Sequence, residues 1–219
     1  MSMDYDEYAY DQAMLDLYEE HKNVAIEEFT KERLVSYYQE NNELAKSAIS
    51  FLGDAKYLID PNKNAAFIFS AIAMEVGLKA ILLKPVIYGL VHNVTVADLI
   101  TSLTMSHNGI NRYRDLLFRI LESHAKINFN EYKRSGSPIL LWKEIEIIQT
   151  KRNYVMHRAE SVTVDEASNA IGVASEILET IFPDLIKEFG FHLHNGYRIC
   201  NDWKCQYKGT PLEDFGKNA

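Results

Sequence analysis

The chain has 219 residues, enough for one main hydrophobic core with a small appendage, and its 47% apolar and 25% charged residues mark a globular rather than a disordered or fibrous chain. Two cysteines are too few for a disulfide scaffold and suit a reducing cytoplasm, while the acidic start MSMDYDEYAYDQ does not read as a secretory leader. The net charge of −8 argues against a phosphate-binding surface spread over the chain, yet residues 1–29 hold nine acids and one base, so the other 190 residues carry 22 of each sign and can still hold a local basic site.

Residues 1–29 read as an acidic arm with Tyr5, Tyr8, Tyr10 and Tyr18. The weak period in Met14, Leu15, Leu17 and Tyr18 predicts a solvated arm with a short helix; the alternative is an arm that is autoinhibitory or engages an inhibitory or partner protein. With Thr30 as N-cap, the spacing of Leu34, Tyr37, Tyr38, Leu44, Ala48, Ile49, Leu52 and Leu58 predicts a first long helix that stops at Asp60-Pro61. A second helix runs from about Lys63 to Leu83 and is expected to end at Pro85. Its run AAFIFSAIAMEVGLKAILL is long enough to span a bilayer, but Glu75 and Lys79 lie inside it, so a buried core helix is the better reading and no membrane contact is expected.

A short helix near Val96 to Leu103 precedes a third substantial helix, Ile110 to Ala125, with Leu116, Leu117, Ile120 and Leu121 on one side and Arg112, Arg114 and Arg119 elsewhere. The segment Tyr132 to Pro138 reads as a basic turn in which Ser137 caps and Pro138 starts a fourth helix ending near His157. Thr163-Val164-Asp165-Glu166 has the form of a capping box for a fifth helix, which continues to Phe189 with a kink at Pro183. In residues 190–219, alternation in Tyr197–Cys200 and in Trp203–Tyr207 across Asn201-Asp202 predicts a β-hairpin. The fold class is therefore all-α: a helical bundle over residues 30–189 with a small C-terminal hairpin and tail.

The end of the fourth helix, KRNYVMHR, is oddly polar for a segment that follows Leu140, Leu141, Ile145, Ile147 and Ile148. Arg152 and His157 are about 140° apart on an ideal helix, while Asn153 and His157 project from nearly one face, so the three can border one groove if the helix end is distorted. The plain alternative is that Arg and His near a C-terminus complement the helix dipole. Glu75 has two readings as well: pairing with Lys79 four residues on at an exposed edge, or reaching towards Arg152. In the tail, His192-x-His194 and Cys200-x4-Cys205 are zinc-compatible residue types, but the spacing is not that of a common finger or ribbon, and a cross-strand thiol pair or plain packing is the expectation. Neither a metal nor a cofactor is expected.

The run Lys151 to His157 resembles the Arg-x4-His signature of the HEPN superfamily, and Ala71 to Leu82, with Glu75 amid small apolar residues and a Leu78-Lys79 pair, is similar to an early HEPN helix. With the order of helices, the resemblance covers about Thr30 to Phe189. It implies a HEPN-like bundle, a metal-independent endoribonuclease, and a homodimer whose motif helices meet over RNA, as in toxins and antiviral defence effectors; a non-catalytic module for dimerisation or for nucleotide or protein binding is the alternative. Carried onto this chain, it makes His157 the acid–base residue, Arg152 the phosphate binder, Asn153 an orienting polar group and Glu75 the carboxylate that fixes Arg152. Lys151, Arg158, Arg112, Arg114, Lys133 and Arg134 are the candidate RNA-binding cations. Family members silenced by nucleotidylation carry a Tyr two residues after the His, where this chain has Ala159.

Overall fold

The most apolar stretch forms the centre of the molecule. In the computed structural model, which describes residues 5–91, 93–106, 113–202 and 204–205, it is helical from Lys63 to Leu90 and mostly buried. It comprises α3 (Lys63–Val76), a π-helical segment (Gly77–Leu83) and α4 (Lys84–Leu90). The expected stop at Pro85 is thus corrected: the helix continues through it. A proline removes the hydrogen bond to the carbonyl four residues back and collides with it in a regular helix; the π turn just before Pro85 changes that geometry. The carbonyl in question, Ile81, instead accepts a bond of 3.0 Å from the buried Tyr38 hydroxyl. The same device recurs where α8 (Val164–Ser175) runs through a π-helical segment (Glu176–Ile181) into α9 (Phe182–Glu188), which begins at Phe182-Pro183.

Before this centre lie α1 (Tyr5–Glu40) and α2 (Lys46–Leu58). Two expectations change here. Thr30 is not an N-cap but an interior residue of α1, its hydroxyl donating to the Ile26 carbonyl at 2.8 Å, so the helix crosses the 29/30 boundary unbroken. The single helix expected up to Asp60 divides at a turn over residues 41–45, where the Asn41 side-chain amide donates to the Tyr37 carbonyl. That break leaves the Asn42 carbonyl outside the helix ladder, and it accepts from Ile199 N at 2.8 Å.

The helix α5 (Val94–Ser106) covers the short helix expected near Val96, and α6 (Arg114–Ala125) lies within the third; the expected start at Ile110 and Arg112 itself fall outside the described residues. The motif helix α7 is Leu141–Arg158. Pro138 does not open it. Ser137 and Ile139 hydrogen-bond to each other, Leu140 is the extended N-cap, and Leu141 N donates to the Tyr132 carbonyl at 2.9 Å. The capping box at Thr163 forms as its residue types require: Glu166 N to Thr163 Oγ1 at 3.1 Å and Thr163 N to Glu166 Oε2 at 2.7 Å.

Packing follows the apolar faces. Helix α3 lies against α2, α7 and α8, α1 against α4, and α6 against α9 and the first π segment. Phe67, Met74, Leu78, Leu82, Ile145, Ile148, Val173, Ile177 and Leu178 contribute to one buried core. The hairpin comes earlier than expected: β2 (Arg198–Cys200), within the expected first strand, pairs antiparallel with the preceding β1 (His192–His194). The turn is Asn195-Gly196, both residues at positive φ, with Tyr197 N donating to the His194 carbonyl at 3.1 Å. An Asn-Gly pair adopts that geometry more readily than Asn201-Asp202. Lys204 and Cys205 lie outside any strand, and Trp203, Gln206 and Tyr207 of the expected second strand are outside the described residues.

Candidate functional site

The motif is positioned by the contact of α7 with α3. Leu141, Trp142, Ile145 and Ile148 define the buried side of α7, and Arg152, on from Ile145 and Ile148 by seven and four residues, falls on that same side. It meets Glu75 of α3: Arg152 Nη1 lies 3.0 Å from Glu75 Oε2. The other carboxylate oxygen of Glu75 takes Lys79 Nζ at 2.7 Å. The two readings of Glu75 therefore hold together, one per oxygen. Lys79 is not at an exposed edge, however; its side chain is 7% exposed, against 17% for Glu75 and 27% for Arg152. A glutamate inside an apolar helix is tolerable here because it is ionically paired on both sides.

His157 and Asn153 lie elsewhere on the same helix. Both are exposed. The helix stays α-helical to Arg158 and ends in a left-handed Ala159 at φ 52°, so the five-residue step from Arg152 to His157 turns about 140°. Within one chain the two residues consequently point away from each other, and the distortion that would have brought them to one groove does not occur. Tyr154 is exposed and carries the Arg158 guanidinium over its ring at 4.6 Å. The loop after the motif is held to the start of α3, Val162 N donating to Asn64 Oδ1 at 2.9 Å.

Among the described residues the candidate cations do not form one patch. Arg134 is engaged in the interior: its Nε and Nη2 contact the Glu144 carboxylate at 2.9–3.1 Å, and it also bonds Asn169. Glu144 is only 3% exposed, which makes this a buried pair at the start of α7 and not a surface for phosphate. Lys151 is held by Glu166 at 3.1 Å and Glu160 at 3.6 Å; the hydrogen bond it donates to Glu166 raises its pKa. Lys133 is exposed near the Pro138 carbonyl, and Arg114 lies over the Phe118 ring. Phe118 in turn packs edge-on against Trp142, the second residue of α7. A rise of about 1.5 Å per residue puts that end of the helix roughly 22 Å from His157. Arg114 and Lys133 therefore flank one end of α7, and Lys151, Arg152 and Arg158 the other.

In the tail, the expectation is a cross-strand thiol pair or plain packing. Cys200 and Cys205 are not joined in a disulfide. One ligand atom from each of His192, His194, Cys200 and Cys205 lies within 4.8 Å of the others, a grouping that could hold a metal ion. The spacing could not show this, because it depends on the strand register and on the turn that returns Cys205 to the hairpin. Comparison with protein-family models, curated proteins and solved structures finds no match, so the functional reading rests on the chemistry and placement of these residues.

Proposed function

We propose that the chain is a metal-independent endoribonuclease of the HEPN type, acting as a homodimer. The observation that carries this reading is the ion pair between Glu75 of α3 and Arg152 of the motif helix, which joins the two segments on which the resemblance rests. Arg152 and His157 diverge within one chain, so the working site is composite, with His157 of one copy facing Arg152 of another. Leu140, Ile147 and Tyr154, exposed at intervals of seven along α7 and its N-cap, supply an apolar surface on which two motif helices can meet.

The chemistry uses a nucleophile already present in RNA. A histidine accepts the 2′-hydroxyl proton as the oxygen attacks phosphorus, the arginine stabilises the negative charge that builds on the phosphorane, and a proton is returned to the departing 5′-oxygen. The products are a 2′,3′-cyclic phosphate and a 5′-hydroxyl. Glu75 orients the guanidinium, and Asn153, one turn before His157, orients phosphate or the imidazole. A toxin or defence role is part of this proposal.

A second reading, a non-catalytic module of the same fold, is favoured by one observation: the Arg152 guanidinium is already engaged by Glu75 and turned away from His157. Incubating the full chain with RNA in excess chelator separates the two. Cleavage that persists and leaves cyclic-phosphate ends supports the nuclease. No cleavage by a demonstrated dimer supports the module, and cleavage that requires added Mg²⁺ overturns the mechanism.

A further inference from the structure

The hairpin has two unlike faces. Residues alternate across a strand, so Leu193 and Ile199, Cα partners in the register, share one face, while His192, His194 and Cys200 share the other. The first face is apolar and turned inward: Ile199 is 4% exposed and Leu193 packs against the core. The second face carries three metal-ligating side chains, with His192 directly opposite Cys200. A fourth arrives from beyond the strand. Asp202 organises the return, its Oδ1 accepting from Lys204 N at 2.9 Å and its carbonyl from Cys205 N at 3.1 Å. This brings Cys205 Sγ into contact with His194 Nε2.

We propose that His192, His194, Cys200 and Cys205 form a structural zinc site. Two sulfurs and two imidazole nitrogens are the donor set that a tetrahedral Zn²⁺ takes, and two thiolates neutralise its charge. With bonds of about 2.0–2.3 Å, ligand atoms around such an ion stand roughly 3.3–3.8 Å apart. The four atoms already lie within 4.8 Å of one another, so the widest pairs need close by only about an ångström while Cys205 Sγ and His194 Nε2, already in contact, move slightly apart. The Asp202 N–H donates to Cys200 Sγ at 3.3 Å, an outer bond that fixes where this sulfur points. Four protein ligands close the coordination sphere, so the ion's role is to hold the fold rather than to act on a substrate.

The site also answers a stability question. Two strands of three residues are too short to persist by themselves. This hairpin nonetheless bonds to the α1–α2 turn through Ile199 N and follows α9 directly, with Phe191 N donating to the Ile186 carbonyl. A metal clip would fix the hairpin in the position that lets Ile199 and Leu193 complete the core.

The test uses the full chain, freed of any affinity tag and purified under reducing conditions without added metal. Elemental analysis is expected to find about one zinc per chain. After stripping, Co²⁺ is expected to give the thiolate charge-transfer and visible d–d absorption of a tetrahedral S₂N₂ centre. Cys205→Ser and His194→Ala each should reduce bound zinc from about one equivalent to near none, with the helical circular dichroism retained. Cys205 lies outside the strands, so the first variant spares the pairing itself. Protein with reduced thiols that holds no zinc and gives no thiolate–Co²⁺ bands would overturn the proposal, as would a Cys200–Cys205 disulfide in freshly purified material, or zinc content unaltered in a folded Cys205→Ser variant.

Discussion

Glu75→Ala tests the centre of the molecule most directly, because one carboxylate serves two cations of different exposure. Its Oε1 holds Lys79, 7% exposed, and its Oε2 holds Arg152, 27% exposed. Removing one member of a buried pair costs about 3–5 kcal/mol; since Glu75 and Arg152 retain some water and Lys79 has contacts besides Glu75, a loss at the lower end, about 3 kcal/mol, is expected here. In a domain of this size that corresponds to a fall in midpoint of roughly 6–12 °C. Arg152→Ala leaves the Glu75–Lys79 pair in place and removes only the more hydrated partner, so its cost is expected to be about 1 kcal/mol or less. Urea denaturation of the two single variants and the double variant measures both costs and their coupling. Equal losses for the two single variants would refute the ranking by exposure and make Arg152 a structural support; a loss below about 1 kcal/mol for Glu75→Ala would refute the buried pairing itself.

His157→Ala should lower RNA cleavage by about 10²–10⁴-fold, and Arg152→Ala should abolish it, both with the dimer retained; a collapse of thermal stability in step with activity would make these residues structural. Tyr38→Phe removes the donor to the Ile81 carbonyl stranded by Pro85 and should cost about 1–2 kcal/mol in denaturant titrations, whereas a neutral effect would show that the π segment satisfies that carbonyl by itself. The Glu166 carboxyl is held below its ordinary 4.5, first by the Thr163 N–H and then by Lys151, against the opposing effect of burial. A lowered folded-state value means stability that is present above 4.5 and lost as pH falls through the folded value, so Glu166→Gln should flatten the acid limb of a stability–pH curve, and an unchanged limb would count against the capping box. Deleting residues 1–29 should raise RNA affinity at low ionic strength and less at high salt; parallel binding curves for the full and shortened chains would exclude an autoinhibitory arm.

Local chemistry was legible in the sequence wherever neighbours within a few residues decide the outcome. Thr163 and Glu166 cap α8 because each can reach the other's backbone, and the apolar period places Leu52, Ile145 and Ile148 inside. The rule that a helix stops at proline describes an isolated helix and failed at Pro85, whereas at Pro183 the helix continues to Glu188 much as expected. Here π turns precede both, and at Pro85 a hydroxyl from α1, 43 residues away from Ile81 in sequence, takes the carbonyl that proline leaves. The two pairings of Glu75 were legible as alternatives, but that both form depends on α3 packing on α7, and the engagement of Arg134 by Glu144 and Asn169 was not legible at all. His192, His194, Cys200 and Cys205 were visible as residue types. Their convergence depends on which strands pair, since the register puts His192 opposite Cys200 and the Asp202 turn returns Cys205 to that face. Periodicity and caps act over a turn of chain and so can be read in order, whereas charge pairing and ligand geometry act through space and exist only once the helices and strands have packed.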